Sequence, residues 1–403
     1  MRFRVAAVAI AVVAAACSAG GPEASGPSED AANRNTAAPD SERTVEVDQI
    51  PGGPREDVPS ALDDPTNDAF PAALVDVEEI RSGGPPPDGI PPIDEPRFVR
   101  PDTVRSLEDQ EPVIAFDLDG DARAYPLEIL TWHEIVNDTV ASVPVAVTYC
   151  PLCNTAVVYD RRLGDRVLDF GTSGSLYQSA LVMYDRQTES LWAHFTAQGL
   201  VGVLAGERLD TYPASIVSWA SWRDAHPDGL VLSRDTGFDR DYGRNPYPGY
   251  DDVERQPFLF SGEVDGRLAA MERVVAVGRD TEPVAVRLDQ LADADVIDLT
   301  VDGETITVWH LPGTGSALDA GDTANGRDVG ATGVFRPEVD GRQLTFERDG
   351  DGFVDDETGS RWDIFGTALD GPLAGERLEP VEHVDTFWFA WAAYQPDTRI
   401  EPR

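Results

Sequence analysis

Short apolar and alternating stretches dominate the chain beyond about residue 110, and they predict a β-rich fold. Two such stretches, 113–118 and 122–127, flank Asp119-Gly120-Asp121, a sequence typical of a tight hairpin turn. The apolar, β-branched run 143–149 predicts another strand. Four shorter stretches between turn residues are also interpreted as strands: 155–159, 166–170, 180–184 and 190–195.

Helical spacing of apolar residues appears in two places, 127–136 and 216–224. In the second of them Trp219 and Trp222 fall on one face, where we expect them to pack in the core. Strands and helices mix without regular alternation, which favours the α+β class.

The pattern of this region occurs twice along the chain. Residues 113–130 align without a gap with 274–291, and the hexapeptide at 204–209 is repeated identically at 373–378. We therefore predict two tandem related modules of short antiparallel strands with a few helices, the first at 69–252 and a degenerate second at 253–403.

The N-terminus has the features of an export signal. Two arginines precede an apolar run that is too short to span a bilayer, and Ala14-Ala15-Ala16-Cys17 fits a bacterial lipobox. We predict a lipoprotein signal peptide at 1–17 and lipidation of Cys17, the alternative being an ordinary signal peptide. The protein would then be exported and lipid-anchored to the outer face of the bacterial cell membrane.

Composition indicates the structure of the next segment and excludes some classes of binding partner. Residues 18–68 are rich in Pro, Ala, Ser and acidic residues and contain no aromatic residue, so they predict a disordered acidic tether. The formal net charge of −41 argues against nucleic acid or an anionic lipid surface as a partner. The expected membrane contact is the lipid on Cys17.

One Cys-x-x-Cys, Cys150 and Cys153, follows the predicted strand 143–149. Cys17 is the third of the three cysteines in the chain. Two intervening residues let both sulfurs face one point, as in metal-binding knuckles. The same spacing is compatible with a thiol–disulfide catalyst, or with a disulfide whose short loop makes it a weak staple. The residues leave these three interpretations open.

Comparison of the two repeats separates packing residues from site residues. Five soft or basic ligand candidates in the first repeat are lost in the second: His133, Cys150, Cys153, Met183 and His194 become Ala294, Leu311, Thr314, Phe353 and Ile364. Five losses together are what the loss of one site would produce.

We predict that His133, Cys150, Cys153 and Met183 form a metal site. A thioether with two thiolates is a soft set that favours copper over zinc. The remaining candidates are supporting residues: His194, Tyr149, Asp88 in a proline-rich loop, and Asp185. Asp185 is matched by Asp355 in the second repeat, which favours a role in turn formation over catalysis.

The segment 147–156, Val-Thr-Tyr-Cys-Pro-Leu-Cys-Asn-Thr-Ala, resembles the signature of a bacterial family, domain of unknown function family 3179. Further blocks at 81–91, 124–127, 132–138 and 181–192 agree with it, so the resemblance covers about 80–252. It implies an exported, often membrane-anchored protein and supplies no activity.

Three functions follow as hypotheses. The first is an extracytoplasmic lipoprotein whose soft-metal site serves redox chemistry or metal handling. The second is a thiol–disulfide oxidoreductase that uses Cys150 and Cys153. The third is a non-enzymatic cell-envelope binding module in which these cysteines form a structural disulfide.

Overall fold

The computed structural model describes residues 44–279 and 281–402, which belong to one compact unit. The predicted signal peptide, Cys17 and the tether up to residue 43 lie outside the described residues. Within the part of the chain that the structure describes, no helix has the length and apolar character needed to cross a bilayer.

Short strands carry most of the fold, as predicted. We call residues 69–252 the first half and 253–402 the second half. Strands up to the end of the first half are β1 Thr44–Val45, β2 Arg81–Ser82, β3 Phe98–Val99, β4 Pro112–Leu118, β5 Asp121–Pro126, β6 Ile135–Val140, β7 Val143–Cys150, β8 Thr155–Asp160, β9 Arg162–Leu163, β10 Arg166–Val167, β11 Phe170–Tyr177, β12 Ala180–Asp185, β13 Leu191–Ala193, β14 Gly199–Val201, β15 Thr211–Tyr212, β16 Ser215–Ser218 and β17 Leu230–Leu232.

The second half also consists mainly of short strands. Its strands are β18 Arg273–Val277, β19 Val284–Arg287, β20 Val296–Val301, β21 Glu304–Leu311, β22 Ala331–Arg336, β23 Glu338–Val339, β24 Arg342–Gln343, β25 Phe346–Asp349, β26 Gly352–Asp355, β27 Arg361–Trp362, β28 Ala368–Asp370, β29 Glu379–Pro380, β30 His383–Phe387 and β31 Arg399–Glu401. The α-helices are α1 Leu127–His133, α2 Trp219–Ala225, α3 Leu288–Ala294 and α4 Trp388–Tyr394. Within residues 44–279 and 281–402, single 3₁₀ turns lie at Val77–Glu79, Pro101–Thr103 and Thr323–Asn325.

The strands form small, mostly antiparallel sheets, and the strand order of the first half recurs in the second. The order β15-β8-β7-β6 is matched by β29-β22-β21-β20, and β14-β13-β12-β11 by β28-β27-β26-β25. Within a six-stranded sheet, β16-β4-β5-β17 is matched by β30-β18-β19-β31. The fold is therefore α+β and β-rich, with a repeated order of elements.

The predicted hairpin is confirmed. Strands β4 and β5 pair in register from Leu118 opposite Asp121 outward. Asp119 and Gly120 connect them with φ of 51° and 85°, the left-handed pair that a two-residue turn requires. An Asp-Gly sequence adopts this geometry at little cost.

The helix predicted at 127–136 is shorter in the structure. It ends at His133, and Glu134 takes φ of 59° while its N–H bonds to Leu130 O at 2.7 Å. Ile135 and Val136 then start β6, because β-branched residues fit a paired strand better than a helix end.

The predicted tether is ordered from Thr44 onward, contrary to the expectation for 44–68. Its backbone bonds to the first half, for example from Gly53 N to Val167 O at 3.0 Å and from Glu56 N to Gln187 O at 2.7 Å. Composition predicted disorder because the segment has little apolar surface to bury, but backbone hydrogen bonds to a formed surface hold it instead.

The largest apolar core includes residues of both halves. Cys150, Cys153 and Met183 lie in it together with Trp388 and Trp391. The halves thus share the interior in which the cysteines lie, and a division into two modules at residue 252 stays a prediction.

Candidate metal centre

The Cys-x-x-Cys forms the connection between two neighbouring strands. Strand β7 ends at Cys150 and β8 begins at Thr155, and these two residues are paired across the ladder. Asn154 closes the turn with φ of 52°, a conformation that Asn tolerates better than most residues. Both cysteines are free thiols, exposed by 1% and 0%. The turn therefore presents two thiols to the protein interior.

A histidine completes a cluster with the two thiols. One ligand atom each of Cys150, Cys153 and His194 lies within 4.8 Å of the others. The hairpin of β12 and β13 brings His194 there, since its backbone N–H donates to Leu181 O at 3.2 Å. All three residues are buried. Two thiolates and one imidazole are donors of the kind that bind metal ions in proteins.

Hydrogen bonds fix the protonation of His194. Thr148 Oγ1 donates its hydrogen to Val157 O at 2.8 Å, so it accepts at 2.9 Å from Nε2 of His194. The proton therefore lies on Nε2, and Nδ1 keeps its lone pair. That Nδ1 is buried and has no hydrogen-bond partner among the described residues. Burial, followed by the charge of Arg279, lowers the pKa of His194 to about 3, so the ring is neutral as a metal ligand must be.

The two thiols differ in acidity. Burial opposes ionisation of Cys150, but hydrogen bonds from the Cys153 thiol and from the backbone N–H groups of Leu181, Cys153 and Leu152 outweigh it and lower the pKa. Burial, together with the hydrogen bond to Cys150, raises the pKa of Cys153 well above its ordinary value. The pocket thus stabilises one thiolate and is poorly suited to two without a cation.

Glu134 is a neighbour of this cluster that the sequence interpretation did not single out. It is 6% exposed, and burial, then the charge of Cys150, raises its pKa well above the ordinary value. The equivalent position in the second half, Asp295, also follows a helix with positive φ but forms an ion pair with Arg348 at 2.7 Å. No signal for this role was present in the sequence, because an acid stands at the same place in both repeats, as expected for a structural residue.

The structure does not bring His133 into the cluster, contrary to the prediction. Its Nδ1 lies 2.6 Å from Pro91 O and its Nε2 lies 2.6 Å from Tyr242 Oη, so both ring nitrogens are occupied. Burial lowers the pKa of His133 to about 4. His194, expected to play only a supporting part, is the histidine that lies with the two thiols instead.

Met183 lies on β12 in the same apolar core as Cys150 and Cys153 and is fully buried. Its part as a ligand stays a prediction. Tyr149 is also buried and donates to Asn154 Oδ1 at 3.0 Å, which supports the cysteine turn. Tyr149 therefore stabilises the conformation of the cysteine turn.

Asp185 holds the β12–β13 hairpin, which confirms its interpretation as a turn residue. It accepts from Thr188 N at 2.6 Å and from Trp192 Nε1 at 2.9 Å. Asp355 accepts from Thr358 N and Trp362 Nε1 in the same way.

Asp88 belongs to the proline-rich loop and ties it to β12. Its Oδ2 accepts from Tyr184 Oη at 2.7 Å, and its backbone N–H donates to Thr172 O at 2.8 Å. Asp88 thus fastens a strap over the first half.

The second half closes the cysteine turn from outside. Thr386 Oγ1 and Phe387 N donate to Cys153 O at 2.9 and 3.1 Å. Tyr250 Oη, at the end of the first half, donates to Leu152 O at 3.1 Å. The carbonyls of the turn are therefore satisfied by distant parts of the chain.

Comparison with known proteins places the chain in a family. No curated protein and no solved structure matches it. One family, described as a protein of unknown function (DUF3179), matches residues 87–398, which include the cysteine turn, His194 and most of the second half. This match extends the resemblance seen over 80–252, and the chain belongs to the DUF3179 family.

Proposed function

We propose that Cys150, Cys153 and His194 bind a soft metal ion and that the protein handles copper or transfers electrons through it. The observation that carries the proposal is the convergence of two thiols and an unpartnered imidazole nitrogen in one buried place. A buried nitrogen with a lone pair and no donor costs free energy unless a ligand uses it.

The donor set favours Cu(I) over Zn²⁺. Structural zinc sites are almost always tetrahedral with four donors, whereas among the described residues three His, Cys or carboxylate side chains converge here. Thiolate and thioether donors select Cu(I), and Met183 is the donor we propose as the fourth. A cation would also relieve the cost of ionising Cys153 next to Cys150.

Burial of the ligands favours electron transfer or metal storage over catalysis at an open coordination position. As part of the same proposal, the protein is exported and anchored through Cys17, so the site would work on the outer face of the membrane.

Metal binding by the whole protein tests the proposal. Protein purified without chelator under reducing conditions should bind one Cu(I) in competition with a chromogenic chelator. C150S, C153S and H194Q should each weaken binding by more than tenfold. H133Q is the matched control and should bind as the wild type does. Absence of copper and zinc binding by the wild type would refute the proposal, and tighter zinc than copper binding would refute the choice of metal.

The difference in acidity between the two thiols favours a second candidate, a thiol–disulfide oxidoreductase. In such enzymes a stabilised thiolate attacks while its partner stays protonated. Both thiols are nevertheless at most 1% exposed, which limits attack on a protein substrate. A reduction potential below about −300 mV, typical of structural disulfides, would exclude this activity.

A further inference from the structure

A long connection joins the two halves and passes beside the cysteine turn. It runs from residue 233, after β17, to residue 272, before β18. All of its residues are described, and they form no helix and no strand apart from one isolated bridge at Arg244. Irregular connections longer than about 15 residues are uncommon inside a compact unit and usually have a function beyond joining two elements. The part that concerns the cysteines is residues 252–264, which we call the lid.

Both ends of the lid are held by polar contacts. Just before it, Asp251 is buried and forms ion pairs with Arg273 and Arg327 at 2.9 and 2.8 Å. Just after it, Asp265 O accepts from Trp388 Nε1 at 3.0 Å. The lid is therefore fixed at each end to the second half.

The middle of the lid is held much more weakly. Among the described residues, Phe258 alone joins the lid to the rest of the chain by hydrogen bonds. Its N–H donates to Tyr250 Oη at 3.2 Å, and its carbonyl accepts from Ser179 Oγ. The remaining attachment is packing, for example of Phe260 against Phe389 with ring centroids 5.3 Å apart. A segment fastened at one residue between fixed ends has the character of a part that opens locally without global unfolding.

Tyr250 links the lid to the cysteine turn. Its hydroxyl accepts from Phe258 N and donates to Leu152 O at 3.1 Å, and Leu152 lies between the two cysteines. Leu152 is 9% exposed, whereas Cys150 and Cys153 are 1% and 0% exposed. A reagent in solution therefore reaches the sulfurs only after part of their cover has moved. The bonds from Phe258 through Tyr250 to Leu152 connect that cover to the lid.

Backbone strain lies at the same place. Leu259 has φ of 51°, a left-handed conformation that is rare for a bulky residue. Residues in such conformations are found most often at ligand clamps and switch regions. Phe258 and Leu259 are 48% and 43% exposed, so the closed lid leaves much of both side chains in water. Closure thus gains little apolar burial at these two positions.

We propose that residues 252–264 are a lid that opens to give small molecules and ions access to Cys150 and Cys153, and that the Tyr250 hydroxyl is its latch. The lid follows from these contacts whether or not the thiols bind metal, whereas its part as the entrance for the ion rests on the proposed function. Removal of the hydroxyl leaves Phe258 N–H without its acceptor in the closed form, while water accepts from it in the open form. The open population should therefore rise about tenfold.

Alkylation of the two thiols in the whole, reduced protein without added metal tests the proposal. Mass spectrometry of the cysteine peptides gives the rate of reaction with iodoacetamide, which follows the open population when opening is fast. Tyr250→Phe should raise this rate about tenfold and should accelerate amide hydrogen exchange over the lid. In the wild type the rate should depend on urea far less steeply than global unfolding does, because opening the lid exposes little surface.

A second tyrosine supplies the matched control. Tyr394 packs on the same core, and its hydroxyl donates to Tyr177 O at 3.1 Å, away from the lid. Tyr394→Phe should therefore react as the wild type does. Ser179→Ala removes the donor to the Phe258 carbonyl and should also speed alkylation, which keeps the test decisive if Tyr250→Phe does not fold.

The outcomes separate the lid from the metal. An alkylation rate in Tyr250→Phe equal to that of the wild type, or a urea dependence as steep as that of global unfolding, overturns the lid. If the lid is the entrance for the ion, Tyr250→Phe should both load and release Cu(I) about tenfold faster, since an entrance acts in both directions. Faster alkylation with unchanged Cu(I) exchange overturns that part. Absence of copper binding refutes the proposed function, and the alkylation result still decides the lid.

Discussion

The carboxylate of Asp185 should matter for the proposed metal binding although it lies outside the Cys150, Cys153 and His194 cluster. It joins the turn after β12 to Trp192 on β13, and His194 lies two residues beyond that tryptophan. Asp185→Asn keeps the size of the side chain but replaces one acceptor oxygen by an NH₂ donor. We expect the hairpin to loosen and His194 to lose its fixed position.

The cost follows from the bonds that the carboxylate accepts. An Asn that keeps its oxygen toward Thr188 N places its NH₂ against the indole N–H of Trp192. One charge-assisted hydrogen bond is lost and a buried donor is left unpaired, which costs about 2–4 kcal/mol in the free energy of unfolding. Burial raises the pKa of Asp185, so ionisation already offsets part of the gain from the bonds, and the lower end of this range is expected.

The second half supplies a matched control, Asp355→Asn. Asp355 accepts the same bonds in a hairpin without metal ligands, and although burial opposes its ionisation, hydrogen bonds led by that from Trp362 lower its pKa. D355N should therefore destabilise at least as much as D185N while leaving Cu(I) affinity unchanged. D185N should lose about tenfold in affinity, equivalent to about 1.4 kcal/mol. Urea unfolding and chelator competition measure the two effects. An equal loss of affinity in both variants, or none in D185N, would refute the reasoning.

Three further predictions concern single side chains. Thr148→Val removes the acceptor that fixes the proton of His194 and should weaken Cu(I) binding about 10–100-fold in chelator competition, with Thr148→Ser retaining most of it. Burial raises the pKa of Glu128 from 4.5 to about 7, so the folded state should lose up to about 3 kcal/mol as pH rises through that interval. Glu128→Gln should flatten this dependence in urea unfolding at several pH values, while the exposed Glu254→Gln should not. Asp138→Asn breaks a buried ion pair with Arg123 and should lower the free energy of unfolding by about 3–5 kcal/mol in urea unfolding. A loss below about 1 kcal/mol would show that this ion pair does not stabilise the fold as argued.

Local sequence was informative where local chemistry decides the structure. The Asp119-Gly120 turn and the strand that leads into Cys150 follow from turn geometry and β-branched residues, and both are present. The helix at 127–136 was extended too far because apolar spacing continues into β6, where pairing with β7 takes over.

The histidine that joins the two thiols could not be chosen from sequence. His133 and His194 are both candidates by residue type, and only the pairing of β12 with β13 shows which one reaches the thiols. The comparison of the two repeats did include His194 among the five residues lost together. That signal included His194 correctly and His133 wrongly, because it lacked the long-range geometry that separates the two histidines.

The contacts of Thr386 and Phe387 with the carbonyl of Cys153 indicate how short a fragment of the chain could be and still bind the metal. A fragment ending near residue 252 would keep all proposed ligands yet lose two donors to the turn and the tryptophans of α4 beside it. Such a fragment should bind metal poorly even if it folds. The half without ligands would then act as the outer wall of the site.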